Sequence, residues 1–375
     1  MQILNAIQRT GRQFDPSDFV SVSNQCVDIP VGPQLNGGRK GRVARNFQKA
    51  KQAGLWNLHE CFPTTTEPTV GIEIELYLVE ARSGELAPRF DAVYRLLPKW
   101  AQRFVKKEAF QFQIEIATGV HPSVETAGEQ LEQCLAAITD AADRLNLELL
   151  WQAGIQDFEV DFDYLTDSER TQSTMRRQPE KISLLHHNGM HVHVGVARDQ
   201  VIRVCDAVTA INDQIIGMAA NSQIIENGAV VCQSQRCQSW LAAFPTLPKQ
   251  YYRDWSGFYD AMLPSNRIGI VLEPKDNYAW VRPTTYGTCE IRTADLPKDL
   301  ATALHVAEFI HNKVRHASLG GCQILPSLDQ VRNRCQQAAR LGTAYQPPSK
   351  IHFDVMNFAQ STNFNSVMQE GKASP

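Results

Sequence analysis

No uninterrupted apolar run in the 375-residue sequence approaches the roughly 20 residues that span a bilayer, so no transmembrane helix is expected. The opening stretch, MQILNAIQRTGRQ, lacks the apolar core of a secretory signal, which predicts a cytoplasmic protein. There is no basic surplus either: a formal net charge of −3 excludes the electrostatic footprint of a general nucleic-acid binder. The nine cysteines (Cys26, Cys61, Cys134, Cys205, Cys232, Cys237, Cys289, Cys322 and Cys335) contain no CxxC pair. A zinc knuckle is therefore not expected, and an odd count without a signal favours reduced thiols. Cys232 and Cys237 remain near enough in sequence for a local disulfide. What is present is ordinary for a globular chain, 43% apolar and 21% charged residues. The length accommodates two or three average domains, or one large catalytic unit with appendages.

The most informative stretch is Asn188-Gly-Met-His-Val-His-Val-Gly-Val196. With the period of a strand, His191 and His193 share one face while Val192, Val194 and Val196 share the other. Two imidazoles about 7 Å apart along a strand aim at one cavity. A hydrogen-bonded structural pair and a metal- or phosphate-binding pair both fit this motif taken alone.

Three further runs repeat the pattern. TVGIEIELYLVE (69–80) places Glu73 and Glu75 opposite Val70, Ile72, Ile74 and Leu76. Adjacent carboxylates on a buried strand repel unless a cation or a proton lies between them; a strand with one face in water is the other reading. FQFQIEIAT (110–118) groups Gln111, Gln113 and Glu115. Near the end, WVRPTTYGTCEIRTAD (280–295) reads as two short strands about a Gly turn, with Arg282 ending the first and Glu290 and Arg292 on one face of the second. A structural salt bridge would explain that last pair equally well in isolation.

Helical spacing predicts a helix after a capping box at Thr126-Ala-Gly-Glu129, a long helix over Asp199–Ala220, and two more at 301–317 and 328–341. Gln233-Ser-Gln-Arg-Cys237 is aperiodic and puts Arg236 in a loop. Residues 1–60, with a basic patch at Arg39, Lys40, Arg42 and Arg45, read as an N-terminal extension, 61–345 as the catalytic domain, and 346–375 as a tail.

If the four strands share a sheet, one face gathers four carboxylates, two imidazoles and at least one arginine. Hard oxygen donors in that number favour Mg²⁺ or Mn²⁺ over zinc. Arginines beside carboxylate-held metal suit a polyphosphate, which indicates phosphoryl transfer from ATP. A metal-dependent hydrolase or a guanidino kinase would draw on the same residue types.

Taken in order, TVGIEIELYLVE, FQIEIAT, GMHVHVGV, AANSQ and WVRP…GTCEIRTAD resemble the motifs of the bacterial glutamate–cysteine ligases of the second type, relatives of glutamine synthetase. The resemblance spans roughly 69–316. It implies an α+β fold, a glutamine synthetase-like antiparallel catalytic sheet with helices on its outer face. It also implies ATP-dependent joining of a carboxylate to an amine through an acyl phosphate, with glutamate and cysteine as the family's default substrates. Residue by residue, it implies Glu73, Glu75, Glu115, His191 and Glu290 as metal ligands. His193, Arg282 and Arg292 would then lie toward the nucleotide, and Arg292, Arg282 and Arg236 toward the transferring phosphoryl or substrate carboxylate. The partners so implied are small molecules, with no nucleic acid and no membrane; self-association into a homo-oligomer is left open.

Overall fold

The computed structural model describes residues 58–63, 67–168, 171–172, 179–244, 247–248, 250–267, 279–320 and 325–348. The extension read at 1–60, its basic patch and the tail read at 346–375 therefore lie outside the described residues except at their inner ends. After one helical turn at Leu58–Cys61, the elements are β1 (Val70–Glu80), α1 (Phe90–Leu96), β2 (Val105–Lys107), β3 (Gln113–Ala117), α2 (Val124–Asp143), β4 (Leu147–Leu150) and β5 (Met190–Gly195). They continue as α3 (Val201–Thr209), α4 (Asn212–Ala219), the hairpin β6 (Ile224–Glu226) and β7 (Ala229–Cys232), α5 (Gln235–Ala243) and α6 (Trp255–Arg267). The chain then forms β8 (Val281–Pro283), β9 (Thr288–Ile291), α7 (Leu300–Ser318) and α8 (Leu328–Leu341).

The predicted strands do share a sheet. It has seven strands in the order β2-β3-β1-β5-β9-β8, with β4 on the C-terminal half of β1. Every pairing is antiparallel. Alternation sends Ile72, Ile74 and Leu76 of β1, Ile114 and Ile116 of β3, Val192 and Val194 of β5, and Cys289 and Ile291 of β9 into the core, where all are fully buried. Helices α2, α3 and α7 cover that apolar face, α2 against β1, α7 against β5, and α3 against β8 and β9. The charged side chains project from the other face. A smaller core at one end packs Tyr77, Phe110, Phe112, Leu165 and Ile182.

Helix α2 is the amphipathic helix expected, with Leu131, Cys134, Ile138 and Ala142 buried at helical spacing. Its cap lies one turn earlier than the sequence predicted: Ser123 is the N-cap, accepting from the Thr126 backbone N–H at 3.3 Å. Thr126 is thereby an N3 residue and not a cap. The single helix expected over 199–220 is two, broken at Ala210–Ile211. Tertiary contacts explain the break. Asn212 accepts from Thr293 Oγ1 at 2.8 Å and Asp213 from Tyr345 Oη at 2.7 Å, so α4 is aligned by buried polar partners that periodicity does not register.

Arg236 lies in the first turn of α5, not in a loop; Ser234 caps that helix by accepting from the Cys237 N–H. Cys134, Cys205, Cys232, Cys237, Cys289 and Cys335 are free, and Cys232 donates to the Ala339 carbonyl at 3.3 Å, so the Cys232–Cys237 disulfide is not formed. No helix among the described residues is long and apolar enough to cross a membrane.

Candidate active site

Register assembles the site. Glu75 is directly opposite Glu115, Glu73 opposite His191, and His193 opposite both Gly71 and Glu290; Arg282 is opposite Glu290 on the next strand. Because facing residues point to the same side of a sheet, five strands project these groups onto one surface. Gly71 matters here by having no side chain beside His193.

Two carboxylate clusters result. In the first, Glu73, His193 and Glu290 present ligand atoms all within 4.8 Å of one another. His193 Nε2 lies 3.7 Å from Glu73 Oε1 and 3.9 Å from Glu290 Oε1, buried and without a hydrogen-bond partner. In the second, Glu75, Glu108 and Glu115 do the same. The geometry thus groups His193 with Glu73 and Glu290. His191 sits between the clusters, its Nδ1 3.0 Å from Glu73 Oε2 and its Nε2 3.8 Å from Glu75 Oε1.

Glu108 and Lys106 were not foreseen. Both lie on or just after β2, a three-residue edge strand too short to show alternation. Their spacing of two was the available signal. Lys106 Nζ reaches Glu115 Oε1 at 2.8 Å and Glu73 Oε1 at 3.4 Å.

The electrostatics separate the two clusters. Burial raises the Glu73 carboxyl, but hydrogen bonds from His191 and His193 and the charge of His193 outweigh it and hold the group well below the usual range. Burial works against Glu290 in the same way, and Arg282 and Arg292 reverse it. In the second cluster, Lys106 beside Glu115 and the Gly189 N–H on Glu75 do not offset burial. Burial and the charge of Glu115 push Glu75 up to about 7, and burial with Glu108 pushes Glu115 up to about 8. Burial, then Arg292, lowers His191 to about 4, so its ring is neutral. Its Nδ1 faces Glu73 and the Arg292 Nη1 at 3.3 Å; a neutral ring can donate to the first or accept from the second, not both. Burial lowers His193, yet Glu73 and Glu290 raise it overall: the surrounding carboxylates demand positive charge at that spot.

The donor chemistry fits a hard divalent cation. Oxygen donors dominate, a buried imidazole nitrogen is unsatisfied, and the carboxyls of the second cluster are raised toward holding protons.

Arg236 is buried beside Gly189, at the start of β5. Its guanidinium donates to the carbonyls of Arg292 at 2.9 Å and Thr293 at 3.1 Å, and a Cβ on Gly189 would come within 2.7 Å of it. It anchors the main chain that carries Arg292. Asp295 completes the anchor, accepting from Ser222 Oγ at 2.7 Å, Ser234 Oγ at 2.9 Å and the Asn221 N–H at 3.1 Å. The AANSQ and TAD segments therefore meet at one buried carboxylate. Replacing Asp295 by alanine strands these donors and the nearby Arg236, and is expected to cost about 3–5 kcal/mol, read as a lowered urea midpoint. A change below about 1 kcal/mol would show that the hub does not hold the site together.

Helices on one side of an antiparallel sheet make the fold of the glutamine synthetase-like ligases. A bifunctional glutathione synthetase from Pasteurella multocida superposes with a TM-score of 0.53 at 14% identity, over 79% of this chain and 44% of that one. The present chain thus spans less than half of that structure, and the likeness is one of fold. The description of glutamate-cysteine ligase family 2 (GCS2) matches residues 69–360. A protein of Laribacter hongkongensis, provisionally named glutamate–cysteine ligase 2, is 32% identical over 295 residues, 73% of this chain and 75% of that one. A relative from Corynebacterium glutamicum (strain R) with the same provisional name is 28% identical over 293 residues, 75% of this chain and 77% of that one. The chain belongs to glutamate-cysteine ligase family 2, and is an ATP-dependent ligase that forms a carbon–nitrogen bond.

Proposed function

We propose that the protein joins a small carboxylic acid, glutamate in the first instance, to the amine of an amino acid such as cysteine, through an acyl phosphate. The observation that carries this is the pair of carboxylate clusters on one sheet face with Arg282 and Arg292 beside them. A carboxylate is a poor electrophile. Its oxygen attacks the γ-phosphorus of ATP, ADP leaves, and the mixed anhydride then yields to the amine, which expels phosphate and loses a proton.

Divalent cations, Mg²⁺ or Mn²⁺, held by Glu73, His193 and Glu290 and by Glu75, Glu108 and Glu115, would neutralise these clusters and the phosphates of ATP. His191, neutral and between the clusters, orients Glu73. Arg292, fixed through its backbone by Arg236 and through Nη1 by Glu290, is the donor aimed at the transferring phosphoryl; Arg282, bonded to Glu290 at 2.6 Å, supports it. Arg236 acts on the site by positioning Arg292.

The test is a panel of carboxylates and amines with Mg²⁺·ATP, following ADP, phosphate and product mass. Amide formed in step with ADP and phosphate supports the reading and names both substrates. A phosphorylated guanidine without amide, or hydrolysis when nucleotide is withheld, would overturn it. With the acid alone, hydroxylamine should trap the acyl phosphate as a hydroxamate.

A further inference from the structure

Lys106 stands opposite Glu115 in the β2–β3 register, and its ammonium touches one carboxylate from each cluster, Glu115 of the second and Glu73 of the first. The Glu73 oxygen it touches, Oε1, is the same one that faces His193 Nε2 at 3.7 Å. A bound divalent ion and this ammonium therefore compete for the same oxygen. The lysine is also free to leave: its side chain is 52% exposed and comes from an edge strand, so withdrawal costs little burial. A monovalent ammonium on a flexible stem is displaced by a smaller, doubly charged ion that several oxygens hold at once.

We infer that Lys106 is a displaceable internal cation, bridging the two clusters in the metal-free protein and giving way when divalent ions bind. This rests on the reading of the clusters as cation sites. Its role is positional and competitive: it holds mutually repelling carboxylates in register before metal arrives, and by doing so weakens the metal affinity of the nucleotide-free protein. Once released, its positive charge stays near Glu115 and would favour an anionic phosphate bound at the same clusters.

Lys107 supplies the control. It follows on the same strand, points to the other side opposite Ile114, and pairs with Asp91 at 2.6 Å, so removing it changes net charge equally without touching either cluster. The experiment is Mn²⁺ titration of the full chain without nucleotide, following free Mn²⁺ by electron paramagnetic resonance, with thermal melting of each variant beside it. Lys106→Met should bind Mn²⁺ roughly tenfold more tightly than wild type and show a larger Mn²⁺-induced rise in Tm. Lys106→Arg and Lys107→Met should stay within about twofold of wild type. Lys106→Gln, which keeps a polar side chain, serves if the methionine variant fails to fold. Unchanged or weaker Mn²⁺ binding in the Lys106 variants, with wild type binding normally, overturns the inference alone. So does an equal gain in Lys107→Met, which would reduce the effect to net charge. If neither wild type nor any Lys106 variant binds Mn²⁺, the cation-site reading falls and the inference with it.

Discussion

Glu75→Ala is expected to abolish amide formation, lowering kcat/KM by about 10³-fold or more even at saturating Mg²⁺. Glu75 sits at the middle of the central strand, directly across from Glu115, and takes the Gly189 N–H at 2.6 Å. Losing that acceptor costs about 1–3 kcal/mol. At neutral pH the deletion also removes a carboxylate that burial and Glu115 have raised to about 7, and so relieves strain of about 3 kcal/mol in its ionised form. The two effects nearly offset, so the metal-free variant should melt within a few degrees of wild type while activity is lost. Glu75→Gln, which keeps an oxygen for Gly189, separates the roles further: fold intact, metal response reduced. Normal turnover by either variant at saturating Mg²⁺ would remove Glu75 from the site.

The same pair sets a pH dependence. Glu75 at about 7 and Glu115 at about 8 lie above the ordinary carboxylate range, so the folded state binds their protons more tightly than the unfolded chain does. That contribution is complete below the usual carboxylate pKa and is lost as pH rises through about 7 and then about 8. A divalent cation replaces the protons where they are missing. The rise in Tm on adding Mg²⁺ should therefore be larger at pH 8 than at pH 6 in wild type, and this difference should shrink in Glu75→Gln. An equal rise at both pH values would show that cations do not bind at the Glu75 cluster.

The site was legible in sequence where side chains alternate on strands long enough to show it. Glu73 and Glu75 stand in an eleven-residue strand, and His191 and His193 in a six-residue one; in each, the apolar partners mark the buried face and leave no doubt about the other. Glu108 and Lys106 were missed because a three-residue edge strand carries no measurable period, and its register comes from β3. Arg236 was misplaced for a different reason. The turn that starts α5 is capped by Ser234, but the helix has little apolar periodicity, and its partners, the Arg292 and Thr293 carbonyls, lie more than 50 residues along the chain. The break between α3 and α4 was likewise invisible, since buried bonds to Thr293 and Tyr345 impose it and the local sequence does not. Alternation reports which face a residue is on. It does not report which of two imidazoles on that face completes a cluster, because that depends on the neighbouring strand's offset: His193 faces Glu290 and His191 faces Glu73.

That offset also determines what Arg292 can do. It follows the last residue of β9, where its N–H bonds the Trp280 carbonyl at 2.8 Å and its own carbonyl is held by Arg236. Its Nη1 meets Glu290 Oε1 and approaches His191 Nδ1 at 3.3 Å, so one guanidinium spans a carboxylate of the first cluster and the imidazole that leads to the second. Arg292→Lys preserves the charge and loses the planar fork. A lysine ammonium drawn to Glu290 has no second, rigidly placed donor to offer phosphoryl oxygens as charge builds on them. The loss should therefore fall on the transition state: kcat lower by about 10²–10³-fold, with the KM for ATP within about threefold of wild type. Hydroxylamine trapping should fall in parallel, since the defect precedes the amine. A KM raised with kcat unchanged would instead make Arg292 a ground-state contact to the nucleotide, and the phosphoryl would need another donor, for which Arg282, bonded to the other oxygen of Glu290, is the nearest group placed to serve.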